Sequence, residues 1–86
     1  MAEREMKLII LSPEKSCFSG SVARVYLPGA LEPFTVLYNH APIISVLKKG
    51  TIRWVGENSG EISIKSGFVE VKDNIVTACV ETTEEK

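Results

Sequence analysis

Reactive side chains are scarce in this chain. Its 86 residues include one histidine, His40, one tryptophan, Trp54, and two cysteines, Cys17 and Cys79. The only aspartate, Asp73, stands in the turn-like run Lys72-Asp73-Asn74. The two cysteines lie far apart and make no metal-ligand spacing. No serine sits in a G-x-S-x-G setting, and there is neither a phosphate-binding G-x-x-x-x-G-K-[ST] nor a dinucleotide fingerprint. A catalyst, a metal centre and a nucleotide-binding loop therefore have no foothold here, and no cofactor is expected. Charge of one sign is missing too. Ten basic residues face eleven acidic ones, and the longest basic run is Lys48-Lys49. A nucleic-acid surface needs a basic stripe to neutralise phosphates, so that partner class is set aside. Long apolar runs are also absent. The opening MAEREMKLIIL carries acids where a secretory leader needs bases, and its apolar stretch is too short for a leader or a membrane span. The expectation is a protein of the cytosol or facing it, with both cysteines as free thiols.

What the chain does contain is a succession of short strand patterns without helical periodicity. Met6 to Leu11 is an apolar run ended by Pro13, and FSGSV follows with Gly20 as a tight bend. Val22 to Leu27 reads as a strand, Pro28-Gly29 as a turn, and Phe34 to Leu37 as another short strand. The stretch PIISVL, Pro42 to Leu47, is too short and too β-branched for a helix. Further on, Ile52 and Trp54 share one face of TIRWV, and Gly56 to Gly60 reads as a hairpin loop. Ile62 and Ile64 point one way, while Val69 and Val71 alternate with Phe68, Glu70 and Lys72. Ser66-Gly67, between these two phases, is a bend or a bulge. Asp73-Asn74 has the chemistry of a two-residue turn that tolerates positive φ. Val76, Ala78 and Val80 share a face of the last strand. Turn signals about every 8–12 residues predict an all-β domain. It is a small antiparallel β-sandwich or flattened barrel of roughly eight to ten short strands. The domain spans residues 1–81, with 82–86 a solvated acidic tail and no C-terminal helical hairpin.

Two narrower readings arise from single residues. A lipoyl or biotinyl carrier domain is also all-β and displays a lysine on a hairpin tip, a position Lys48 or Lys49 could take. That family flanks its lysine with acidic or methionine residues, and VLKKGT has neither. His40 precedes Ala41-Pro42, and the proline biases Ala41 toward extended backbone, so the chain passes from His40 straight into a strand. His40 is then either a contact residue of a loop or a side chain that satisfies a turn carbonyl.

Longer motifs resemble those of the epsilon subunit of F-type ATP synthases, in its N-terminal β-sandwich domain. Phe18, Gly20 and Val22 fit an F-x-G-x-V bend, and Pro28-Gly29 fits the start of the family's long loop. Phe34, Val36, Leu37, His40, Ala41 and Pro42 fit F-G-[IV]-L-P-x-H-A-P, and Leu47 and Gly50 fit L-x-x-G. Gly67, Phe68, Glu70, Val71, Asn74, Val76, Thr77 and Glu81 fit G-G-F-x-E-V-x-x-N-x-V-T-V-L-x-E. The likeness runs in order from about Lys7 to Glu81. Where the family commonly has Gly, Gly, Pro and Gly, this chain has Glu32, Thr35, Tyr38 and Asn39. The resemblance implies a non-catalytic rotor part of the central stalk. It would clamp the gamma subunit with one face and rest on the c-ring with one end, peripheral to the membrane at its cytoplasmic face and helping couple proton flow to ATP synthesis. It also implies a ring-facing loop from Glu32 to His40, with Glu32, Phe34, Tyr38, Asn39 and His40 as its residues. The alternative is a free-standing β-sandwich interaction module with another partner.

With no phosphate loop, the isolated chain is expected neither to hydrolyse ATP nor to bind it tightly. Isothermal titration at millimolar ATP checks this, and a micromolar dissociation constant is the contrary result.

Overall fold

A computed structural model describes residues 5–83. Eight strands follow one another: β1 (Met6–Leu11), β2 (Ser16–Val22), β3 (Arg24–Leu27), β4 (Phe34–Leu37), β5 (Ile43–Leu47), β6 (Gly50–Val55), β7 (Gly60–Lys72) and β8 (Ile75–Thr82). Among the described residues there is no helix. The strands are hydrogen-bonded without interruption in the order β2-β1-β8-β7-β6-β3-β4, and β5 also pairs with β7.

This one sheet makes two layers by folding over. The N-terminal half of β7, Gly60 to Ile64, pairs with β6, whereas Gly67 to Val71 pairs with β5. Between them β7 holds one residue more than its neighbour, since Ile64 faces Thr82 but Ser66 faces Glu81. An extra residue shifts the side-chain alternation by one, and here it does so usefully. Ile64 is buried before the bulge, and Val69 and Val71 are buried after it. Without the bulge, one of these sets would point to solvent. The fold-over brings Phe18 of β2 onto Trp54 of β6, with ring centroids 4.6 Å apart, although β1, β8 and β7 separate those strands in the sheet. The core between the layers is apolar and drawn from every strand, with Leu8, Ile10, Val25, Leu27, Ile52 and Val76 among its members.

The turns follow their sequence chemistry. Asp73 and Asn74 both adopt positive φ, 51° and 62°, the pair of left-handed residues that a type I′ hairpin needs. The irregularity expected at Ser66-Gly67 falls just before it, between Ile64 and Ser66. Four expectations need correction. Gly20 is not a bend; it lies inside β2, where a Cβ would come within 2.9 Å of the Phe18 ring. Val22 to Leu27 is not one strand. Val22 pairs with Met6 in one layer, Arg24 pairs with Val55 in the other, and the Ala23 N–H donates to the Val55 carbonyl at 2.7 Å where the chain crosses. The pairing is not wholly antiparallel, because β1 and β8 run parallel. Almost the whole chain lies between these two strands and serves as their crossover, so no short hairpin dictates direction. Finally, β8 extends through Thr82, which is only 8% exposed, and the Thr83 N–H donates to the Ser63 carbonyl at 3.3 Å. The remainder of the expected tail, residues 84–86, lies outside the described residues.

Gly67 sits tightly against β8. A Cβ there would lie 2.5 Å from the Cys79 carbonyl oxygen and 2.9 Å from Val80 Cγ1. Gly67→Ala is expected to destabilise the domain by about 1–3 kcal/mol, as overpacking does. Ser66→Ala, on the exposed side, should stay within about 0.5 kcal/mol of the parent. Urea denaturation of the two variants measures the difference. Deleting Lys65 removes the phase shift of β7 and should leave no cooperative unfolding transition.

Candidate functional site

The chemistry-bearing side chains do not converge. Among the described residues no three of His, Cys, Asp and Glu come together as metal ligands would. His40 is half-buried. Its backbone N–H donates to the Leu37 carbonyl at 3.0 Å, and its Nδ1 lies 2.8 Å from the carbonyl oxygen of Ala41. Both cysteines are free and half-buried. Lys48 and Lys49 are not at a hairpin tip. β5 and β6 each pair with β7 rather than with each other, and the Lys48 N–H donates to the Pro28 carbonyl at 2.9 Å.

The five residues picked from the sequence do not form a single loop. β4 divides them. Phe34 pairs with Leu27 and Leu37 with Arg24, so Glu32 lies beyond one end of the β3–β4 hairpin and Tyr38 beyond the other. Four strand residues put these ends about 10–13 Å apart at ~3.3 Å per residue. Glu32 is exposed, and so is its neighbour Leu31. Phe34 is half-buried and packs against the core, with its ring over Gly29. Tyr38, Asn39 and His40 stay together in a four-residue turn that begins at Leu37 and is closed by the His40 N–H on the Leu37 carbonyl. Its third residue, Asn39, has φ 66°, the left-handed value that a type II turn requires.

Sequence reasoning passed over a second surface. On the outer face of the β5-β7-β8-β1 layer the register aligns Val46 with Phe68, Phe68 with Cys79, and Cys79 with Leu11. This row crosses four strands without a charge. The neighbouring row, Ile44, Glu70, Thr77 and Ile9, adds two more aliphatic side chains. Ile44 is 75% exposed, Val46 63% and Phe68 52%, while Leu31, on the loop beside Ile44 and Val46, is 98% exposed. A cleft of about 440 Å³ opens beside Phe68 and Cys79, bounded by Leu11, Pro13, Gly67 and Val80. The outer face of the other layer is different. Its aligned row is Thr35, Tyr26, Arg53 and Glu61, and the Arg53 guanidinium stands 5.2 Å from the Tyr26 ring centroid. One outer face carries a polar row across its strands, and the other an uncharged, apolar one. The available signal was Phe68 itself, an aromatic in the phase of β7 that otherwise carries Glu70 and Lys72.

Known proteins resemble this chain in sequence, and others resemble it in fold. The model of the ATP synthase delta/epsilon chain β-sandwich domain matches residues 5–86. An ATP synthase epsilon chain from Leptospira interrogans is 36% identical over 78 residues, which are 90% of this chain and 61% of that protein. One from Desulfitobacterium hafniense is 40% identical over 78 residues, again 90% of this chain and 59% of the relative. The chain thus spans about three fifths of the length of these relatives. Among solved structures, a chain of the Euglena gracilis mitochondrial ATP synthase OSCP/F1/c-ring assembly superposes with a TM-score of 0.82 at 18% identity, covering 93% of this chain and 52% of that one. A chain of the Tetrahymena thermophila mitochondrial ATP synthase central stalk and c-ring gives 0.76 at 17% identity, covering 94% and 66%. No helix among the described residues is long and apolar enough to cross a membrane. On the family match and the identity to these relatives, the chain belongs to the ATP synthase delta/epsilon chain β-sandwich family.

Proposed function

We propose that this domain is a non-catalytic rotor part of an F-type ATP synthase central stalk. In this reading it docks on the gamma subunit with the outer face of the β5-β7-β8-β1 layer, rests on the c-ring with one end, and lies peripheral to the membrane at its cytoplasmic face. The observation that carries the docking face is the uncharged row Val46, Phe68, Cys79 and Leu11 set against the polar row of the opposite face. Membership in the family supplies the assembly in which such a face would be covered. A lasting clamp buries on the order of 1,600 Å² in total, and aromatic and aliphatic side chains at its centre contribute most of the binding energy. Torque transmission asks for stiffness and large surfaces rather than a reactive group, and a two-layer sheet packed on one core supplies both. The c-ring contact is assigned to the Tyr38-Asn39-His40 turn, with Glu32 at the far end of the hairpin as a separate element.

Two substitutions test the two contacts separately. Phe68→Ala is expected to weaken gamma binding by ~2 kcal/mol, about thirtyfold, in a pull-down or titration with that subunit. Its thermal stability should hardly change, since the side chain is half-exposed. Tyr38→Ala should weaken assembly on the membrane ring by a similar factor while gamma binding stays intact. If Tyr38→Ala instead abolishes gamma binding and leaves ring assembly normal, the two surfaces have been assigned the wrong way round.

A further inference from the structure

Asn74 ties together three segments that are distant in the sequence. As the second residue of the β7–β8 turn it holds φ at 62°. Its carbonyl accepts the Lys7 N–H at 3.0 Å, which fastens the start of β1 to the hairpin. The side chain reaches elsewhere. Its Oδ1 accepts the backbone N–H of Asn39 at 2.6 Å, and its Nδ2 donates to Asn39 Oδ1 at 3.3 Å. Asn39 is the left-handed third residue of the turn that carries Tyr38 and His40. A turn at a loop tip is ordinarily the more mobile part of a domain, and the bond from His40 N–H to the Leu37 carbonyl closes this one locally. The clasp from Asn74, 35 residues away, ties it to the β7–β8 hairpin.

We infer that Asn74 is the positioning residue of the Tyr38–His40 contact surface, locking that turn to the sheet that bears the Phe68 row. This rests on the reading that the turn meets the membrane ring. Load taken at the turn then passes through Asn74 into β7 and β8, whose outer face carries Phe68 and Cys79, so both contact surfaces move as one body. The two bonds of the clasp are not equal. The shorter one uses a backbone N–H that any residue except proline at position 39 would present. Asn39→Gly therefore keeps it and also keeps the left-handed backbone. Asn74→Gly keeps the backbone of its own turn but removes the clasp entirely. Asn74→Asp retains the acceptor and loses only the donor.

The test uses the whole chain, with hydrogen exchange of the Asn39 amide read by NMR beside reconstitution with the gamma subunit and the membrane ring. Asn74→Gly should speed Asn39 exchange about tenfold while the amides of Val25 and Val76 exchange as before. It should weaken ring assembly about as much as Tyr38→Ala and leave gamma binding unchanged. Asn74→Asp and Asn39→Gly, which keep the short bond, should retain both protection and assembly, a pattern that a purely structural loss would not give. Unchanged Asn39 exchange in Asn74→Gly overturns the inference. So does faster exchange with normal ring assembly where Tyr38→Ala is defective. If neither Tyr38→Ala nor Asn74→Gly affects the ring, the assignment of the turn to the ring has failed, and the positioning role falls with it even though the clasp in the free domain stands.

Discussion

Strand β7 is the constraint on which the rest of the structure depends. It pairs with β8 along one edge and with β6 and then β5 along the other. One strand can serve both layers only if its inward side chains keep facing the core as the sheet folds. The residue gained between Ile64 and Ser66 accomplishes this by exchanging the two phases of the alternation. Gly67, next to the bulge, lets the β8 backbone and Val80 close in where a side chain would collide. Both the single apolar core and the uninterrupted hydrogen-bond ladder follow from this local arrangement.

The same phase exchange shapes the exterior. Once Val69 and Val71 turn inward, Phe68 must turn outward, where it meets Val46 on one side and Cys79 on the other. The apolar row is thus a consequence of the fold's register as much as of its composition. A protein that needed only solubility would fill those positions with charges, as Glu70 and Lys72 do two and four residues further along the same strand. At the end of the sandwich the Asn39–Asn74 clasp joins a loop apex to a hairpin apex. Both residues hold left-handed backbone, which brings their short amide side chains within reach of each other.

Much of the strand pattern was legible because period-two alternation and turn residues are local signals. Asp73-Asn74 announced its turn, and the change of phase between Ile64 and Val69 announced a bulge, which the register places between Ile64 and Ser66. Other features depended on pairing. Gly20 looked like a bend because glycine permits one, whereas in the fold it makes room for the Phe18 ring in the middle of a strand. Val22 to Leu27 looked continuous because no breaker interrupts it, yet the chain changes layers at Ala23. Of the candidate contact residues, Tyr38, Asn39 and His40 do form one turn. Phe34 belongs largely to the core, and Glu32 lies beyond the opposite end of β4.

The sequence by itself determined the all-β class, the position of most turns and the family, since each of these is written in residue type and short-range spacing. Only the tertiary structure decided that β1 and β8 lie parallel, that Val46, Phe68, Cys79 and Leu11 form one row, and that Asn74 grips Asn39. These facts join residues tens of positions apart. Outside the tight hairpins nothing local dictates which strand lies beside which; that is chosen by the burial of the whole core and the satisfaction of the whole backbone at once.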